Sequence, residues 1–307
     1  MRLVFAGTPE PAVPSLRRLA ASDHEIVAVI TRHDAPLGRK RVLTPSPVAS
    51  AAAELGIQAI RADRLDADTT ARIAQLQPDL GVIVAYGGLV REPLLSTPVH
   101  GWVNLHFSLL PRWRGAAPVQ HALIAGDEHT GASVFQLVAE LDAGDVYAEA
   151  ALRPAPDATA GDLLATLADE GAALLLGVVD AIAAGTAVAR PQRGEPTYAP
   201  KLGDDDGRIR WDEPSGAVLG RFRGVTPEPG AHTTVDGARL KLLDVRVAAA
   251  DAPALRPGEI ALHGRRVLVG TATAPVALER VQPAGKGAMA AADWWRGLRT
   301  TTPVAGS

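Results

Sequence analysis

Short apolar runs alternating with helix-patterned segments through the first two-thirds of the chain leave it few folds. The runs occupy residues 3–6, 26–30, 58–60, 80–85, 102–105 and 133–138, and helical spacing is clearest over 15–21, 47–55, 67–76 and 117–125. Strand and helix taking turns in this way predict an α/β, Rossmann-like domain with a doubly wound, mostly parallel sheet. An Ala/Leu-rich stretch at 159–184 has Asp162 near its start and Gly185 just past its end. It reads as a closing helix with a carboxylate at its positive pole.

The remainder of the 307 residues reads differently. A polar, proline-bearing stretch at 190–196 and an acidic one at 203–207 show no periodicity and predict a connection. Beyond it, after a helix-like segment at 215–222, short alternating runs at 238–245, 259–262, 266–270 and 276–281 are parted by Gly or Pro turns, the pattern of a small β-barrel. The expected organisation is residues 1–188 as one domain, 189–207 as linker and 208–307 as a second domain. From Asp205 onward there are 14 lysines and arginines against 11 acidic residues, a charge of +3; the rest carries 17 against 23, or −6. A mildly basic second domain beside an acidic first one suits a polyanionic partner, and chance fluctuation of a few charges gives the same figure.

Hydrophobic residues at 47% and charged residues at 21% are those of an ordinary globular protein. The absence of cysteine removes thiol nucleophiles, thiolate ligands and disulfides. No apolar run suits a signal peptide or a membrane span, so a cytoplasmic location is expected; the expected oligomeric state is a monomer. The first strand leads into Gly7-Thr8-Pro9-Glu10-Pro11, one glycine where a dinucleotide fingerprint needs three, which argues against a nicotinamide cofactor. The eight histidines show no paired spacing such as H-E-x-x-H, and no metal is expected.

The densest cluster of chemistry-bearing residues runs from Val103 to Pro118. Asn104 and His106, at i and i+2, put both side chains on one side of a strand at the sheet edge where open α/β sheets bind ligands. An amide donor beside an imidazole suits acyl transfer, because the oxyanion needs directed hydrogen bonds and the nitrogen needs a proton partner. The same pair occurs as a hydrogen-bonded turn element. Asp142, in Leu141-Asp142-Ala143-Gly144-Asp145, could orient the imidazole, or could make an Asx turn using Gly144. Spacing leaves both alternatives open.

Taken together, Asn104-Leu105-His106, Ser108-Leu109-Leu110-Pro111-x-Trp113-Arg114-Gly115 and Leu141-Asp142-x-Gly144-Asp145 resemble the folate-dependent formyltransferases. Within them the likeness is to the methionyl-tRNA formyltransferases. It rests on Phe5-Ala6-Gly7-Thr8-Pro9-Glu10, Gly38-Arg39-Lys40-Arg41 with Pro45-Ser46-Pro47-Val48, Ala85-Tyr86-Gly87, Thr197-Tyr198-Ala199 and residues 282–289, so it spans nearly the whole chain.

The resemblance implies a catalytic trio of Asn104, His106 and Asp142, and 10-formyltetrahydrofolate as formyl donor. Its site would be lined by Ser108, Leu109, Leu110, Pro111, Tyr86 and Gly87. Initiator methionyl-tRNA is the implied partner, gripped by a basic loop of Arg39, Lys40 and Arg41 and held by an oligonucleotide-binding (OB-like) barrel. There Lys286, with Arg210, Arg221, Arg223, Arg239, Lys241, Arg265 and Arg266, could meet phosphates. Two departures stand out. Pro11 replaces the family's usual aromatic, and Val225-Thr226-Pro227-Glu228-Pro229 stands where relatives often carry Asn-Pro-Trp-Pro. An amino-sugar formyltransferase would share the trio without needing the basic loop or barrel, and a tRNA-binding module would leave the trio without purpose.

Overall fold

The computed structural model describes residues 1–38, 41–298 and 302–306. Its strands are β1 (Arg2–Gly7), β2 (Glu25–Thr31), β3 (Ala35–Leu37), β4 (Val42–Thr44), β5 (Ala59–Arg61), β6 (Leu80–Val84), β7 (Trp102–His106), β8 (Arg114–Gly115), β9 (Thr130–Gln136), β10 (Val146–Leu152), β11 (Tyr198–Ala199), β12 (His232–Val235), β13 (Ala238–Val247), β14 (Ile260–His263), β15 (Arg266–Val269), β16 (Val276–Pro283) and β17 (Met289–Ala290). The helices are α1 (Val13–Ala20), α2 (Pro47–Glu54), α3 (Ala67–Gln75), α4 (Pro118–Ala125), α5 (Ala160–Ala183), α6 (Ser215–Gly224) and α7 (Ala291–Arg296).

The chain forms two compact units. The first comprises Met1–Pro118, His129–Arg153 and Leu164–Ala199, and is built on a seven-stranded sheet of order β10-β9-β7-β6-β1-β2-β5. β7, β6, β1, β2 and β5 pair in parallel, whereas β9 runs antiparallel to β7 and β10 antiparallel to β9. The central strands are apolar on both faces, as a covered parallel sheet requires; every residue of β6 is buried. Helix starts follow the sequence closely. Ser46 caps α2 by accepting from the Ala49 N–H at 3.0 Å, and Asp66 caps α3 by accepting from the Thr69 N–H at 2.9 Å.

Tyr86, just beyond β6, is 1% exposed, and its hydroxyl donates to the Ala62 carbonyl at 2.6 Å. Burial pushes this phenol from 10.0 up to about 12. A pKa raised by folding gives stability that is complete below the unfolded value and drains away as pH climbs to the folded one. Unfolding free energy from urea titration should therefore fall between pH 10 and 12, and more steeply in the native chain than in Tyr86→Phe. Equal pH slopes would contradict this reading. At pH 8 the variant should already lack about 1 kcal/mol, for the lost hydrogen bond.

The second unit comprises Val119–Glu128, Pro154–Leu163 and Pro200–Ser307. Its strands are antiparallel in the order β12-β13-β16-β15-β14, with β17 on β16. Single bridges from Val304 to Glu259 and from Ala305 to Val235 join the two edges of this sheet and close it into a barrel. Inside lie Trp211, Phe222, Leu240, Leu242, Val267, Leu278 and Val281. The backbones of α4 and α6 approach closely where α6 carries Gly220 and Gly224; a Cβ at Gly224 would lie 2.6 Å from the Gln120 carbonyl oxygen.

The units depart from the expected bounds of 1–188, 189–207 and 208–307, and residues 154–163 and 200–207 belong to the second. Residues 119–128 pack with the second unit, although their helical pattern sits among the strands of the first. Residues 190–199 are bonded into the first unit: Arg190 bridges Val146, and β11 pairs with β8. Neither of these last two placements has a local sequence signature: that of 119–128 is packing between helices distant in the chain, and that of 190–199 is backbone pairing between distant segments.

Candidate active site

β7 places its residues alternately on the two sheet faces, so Asn104 and His106 share one face at the carboxyl end of the strand. Asn104 lies in register with Ile83 and Phe135, and His106 with Ser133. The Asn104 side chain is half-buried and makes no hydrogen bond to another of the described residues. His106 is 6% exposed, its ring edge-on to Phe135 at 6.4 Å.

The imidazole is held at one end and faces a carboxylate at the other. Its Nε2 lies 2.8 Å from the Trp113 carbonyl, which can only accept, so Nε2 carries a proton. Nδ1 faces Asp142 Oδ2 at 3.9 Å. The same carboxylate oxygen accepts from the Gly115 N–H at 2.7 Å. A proton arriving at Nδ1 would thus face a carboxylate that the backbone already fixes. Asp142 reaches this position from a left-handed backbone, φ 47°, a conformation aspartate tolerates better than most residues. The turn closes on itself so tightly that a Cβ at Gly144 would lie 1.8 Å from the Gln136 carbonyl oxygen. Only glycine fits there.

The loop after β7 is clamped by serine hydroxyls. Ser108 Oγ donates to the Arg112 carbonyl at 2.6 Å. Ser133 Oγ, fully buried, donates to the Ser108 carbonyl at 2.7 Å and accepts from the Leu110 N–H at 3.1 Å. Leu110 and Pro111 are buried and Leu109 half-buried in this loop. Ser108 therefore acts on the loop's shape, its hydroxyl already engaged. Tyr86 likewise spends its hydroxyl on Ala62, and the Gly87 carbonyl accepts from Arg32.

The other residues expected to make contacts belong to other segments of the chain. Arg39 and Lys40 lie outside the described residues; Arg41 is exposed in the turn between β3 and β4, φ 49°. In the second unit, Arg239 forms a two-pronged pair with Asp204 at 2.8 and 2.6 Å, which holds that carboxyl below its usual range. Arg221 donates to the Asp206 carbonyl and Arg223 to that of Pro156; burial lowers the Arg223 pKa. Arg210 and Arg266 pair with Glu213 and Glu279. Lys241, Arg265 and Lys286 are exposed and form no ion pair with another of the described residues. Sequence reasoning passed over Ser133, the Trp113 carbonyl and the Gly115 N–H, none of which has a chemical signature of its own in the sequence.

A formyl transferase family model matches residues 1–179, and its companion, the formyl transferase C-terminal domain, matches residues 201–299. Methionyl-tRNA formyltransferase of Clavibacter sepedonicus is 63% identical over 99% of this chain and the whole of its own. The chain belongs to the methionyl-tRNA formyltransferase family. The protein of the same description from Leifsonia xyli subsp. xyli is 63% identical over 97% of each chain. Among solved structures, an N-formyltransferase from Helicobacter canadensis superposes with a TM-score of 0.69 over 92% of this chain and 98% of its own. At 14% identity that likeness concerns the fold alone. For this family member, then, the strand-end cluster of Asn104, His106 and Asp142 lies on the mostly parallel sheet, and the antiparallel barrel forms a separate unit.

Proposed function

We propose that this formyltransferase moves the formyl group of 10-formyltetrahydrofolate to the α-amino group of methionyl-initiator tRNA, with Asn104, His106 and Asp142 as its catalytic centre. The observation that carries the assignment is the Asp142 carboxylate, fixed by the Gly115 N–H at 2.7 Å and facing His106 Nδ1. Asn104 offers its amide, unbonded among the described residues, to the oxyanion that forms when the amine attacks the formyl carbon. His106 takes up the proton the amine sheds, Asp142 steadies the charged ring, and His106 returns a proton to the folate nitrogen that leaves. No covalent enzyme intermediate is needed.

The folate would lie against Leu109, Leu110 and Pro111, with the backbone of Tyr86 and Gly87 at its other side; the buried Tyr86 ring supports that segment from beneath. Residues 1–188 would serve catalysis and 208–307 would hold the tRNA, with 189–207 joining them and residues 190–199 siding with the catalytic unit. Arg39, Lys40 and Arg41 would grip the acceptor end, and Lys286, with Lys241 and Arg265, would meet phosphates. No helix among the described residues is long and apolar enough to cross a membrane; a cytoplasmic monomer fits the reading.

Transfer of radiolabelled formyl from 10-formyltetrahydrofolate should be followed with initiator methionyl-tRNA, elongator methionyl-tRNA, free methionine and an amino-sugar nucleotide as acceptors. Transfer to the initiator form in preference to the rest is the expected result. Labelled sugar, or free formate without transfer, would overturn the assignment.

A further inference from the structure

The carboxylate of Asp142 is held by a glycine N–H, but its backbone is held by something else. The amide of Gln192 reaches in from the segment after α5. Its Nε2 donates to the Asp142 carbonyl at 2.8 Å and to the Gly144 carbonyl at 2.9 Å. Its Oε1 accepts from Arg114 Nη2 at 2.6 Å and Nε at 3.2 Å. Both N–H groups and both lone pairs of the amide are therefore engaged, and only this orientation satisfies them: turned over, the oxygen would meet two carbonyls and the NH2 a guanidinium.

The two ends of this bracket matter for the chemistry. One end grips the left-handed turn that presents Asp142, from both sides of the tight Gly144 closure. The other end grips Arg114, whose neighbour Gly115 supplies the N–H to Asp142 Oδ2. One side chain thus sets the carboxylate's backbone and the position of its hydrogen-bond donor together. We propose that Gln192 is a positioning residue for Asp142: it fixes the carboxylate relative to His106 and acts on the rate of formyl transfer through that geometry alone.

This inference rests on the proposed role of Asp142, and the test separates the two. Gln192→Glu keeps the shape and the contact to Arg114, but turns a double donor into an acceptor against two carbonyls. Gln192→Met keeps the length and removes all four hydrogen bonds without adding charge. Each, as the full chain, should lower kcat about 100-fold, the scale of a misplacement of about 1 Å in a catalytic group, with KM for both substrates within about 2-fold of native. In an Asp142→Ala background the same substitutions should lower kcat no further, because the group they position is gone. A purely structural role would instead give the same fractional loss in both backgrounds, or a raised KM; either result would overturn the proposal. So would native kcat in whichever of the two variants folds. Full activity of Asp142→Ala itself would remove the reading beneath the proposal, an outcome visible before Gln192 is touched.

Discussion

Asp142→Ala is expected to lower kcat for formyl transfer by about 1000-fold, and Asn104→Ala by about 100- to 1000-fold, in a chain that still folds. The two losses have different origins. Asn104 has a side-chain amide with no hydrogen-bond partner among the described residues, at the strand end beside His106, so its removal takes away a donor that only the transition state uses. Asp142 faces the imidazole at 3.9 Å and accepts from the half-buried Gly115 N–H at 2.7 Å, so its removal leaves both without their carboxylate. The orphaned Gly115 N–H costs stability of about 1–3 kcal/mol, which a domain of this size can bear. Single-turnover formyl transfer, with circular dichroism and thermal melts on the same samples, decides the matter. Near-native rates for both variants would remove the trio from the mechanism. His106→Ala should be no more harmful in combination with Asp142→Ala than alone, as befits residues that act as one unit.

Removing the chain beyond Thr302 is expected to destabilise the second unit by about 3 kcal/mol, from three backbone hydrogen bonds worth about 1 kcal/mol each. Those bonds run from Ile260 N–H to the Pro303 carbonyl at 3.1 Å, from Ala305 N–H to that of Gly258 at 2.7 Å, and from Gly306 N–H to that of Thr234 at 2.8 Å. They belong to the segment that joins β12 to the β14 edge, so its loss opens the barrel and leaves two bare strand edges. Trp211 reports the change. Its indole is 5% exposed, donates to Thr233 Oγ1 at 2.9 Å, and has Gly306 beside it. Its emission should shift to the red and the urea midpoint should fall. An unchanged midpoint would mean that the sheet holds its curvature without this closing segment.

Much of the first unit was legible because its strands advertise themselves. A parallel strand covered on both faces must be largely apolar, and β1, β2, β6 and the start of β7 are such runs, with side-chain caps opening α2 and α3. β10 shows no such run because an edge strand needs none: its first three residues are half-buried and only the last four alternate between exposed and half-buried, with Ala-Glu-Ala-Ala at its centre. β12 is four residues of His, Thr, Thr and Val, too short to show a period. In the sequence the β3–β4 segment presents itself as a basic loop, since its charges are more conspicuous than its three-residue strands.

The candidate site divides along the same line. Asn104 and His106 were readable because a strand's period of two puts i and i+2 on one face without reference to anything else in the fold. That Asp142 belongs with them came from resemblance, since nothing in residues 141–145 says which strand end the turn will face. Gln192 was unreadable: its neighbours are polar and aperiodic, and its four hydrogen bonds go to backbone carbonyls and a guanidinium about 50 and 80 positions away.

The sequence by itself determined the sheet's parallel core, the helices that cover it, the barrel's main strands and the placing of an amide and an imidazole at one strand end. Each of these follows from side chains a few residues apart that must share a face or a cap. Tertiary structure alone decided the direction of β9 and β10, the closure of the barrel by residues 304–305, the company kept by α4, and the bracket from Gln192 that sets Asp142. The first two are backbone pairings and the third a helix packing between segments far apart in the chain, and the last joins a side chain to groups about 50 and 80 positions away, so no local pattern of side chains announces which of these partners will meet.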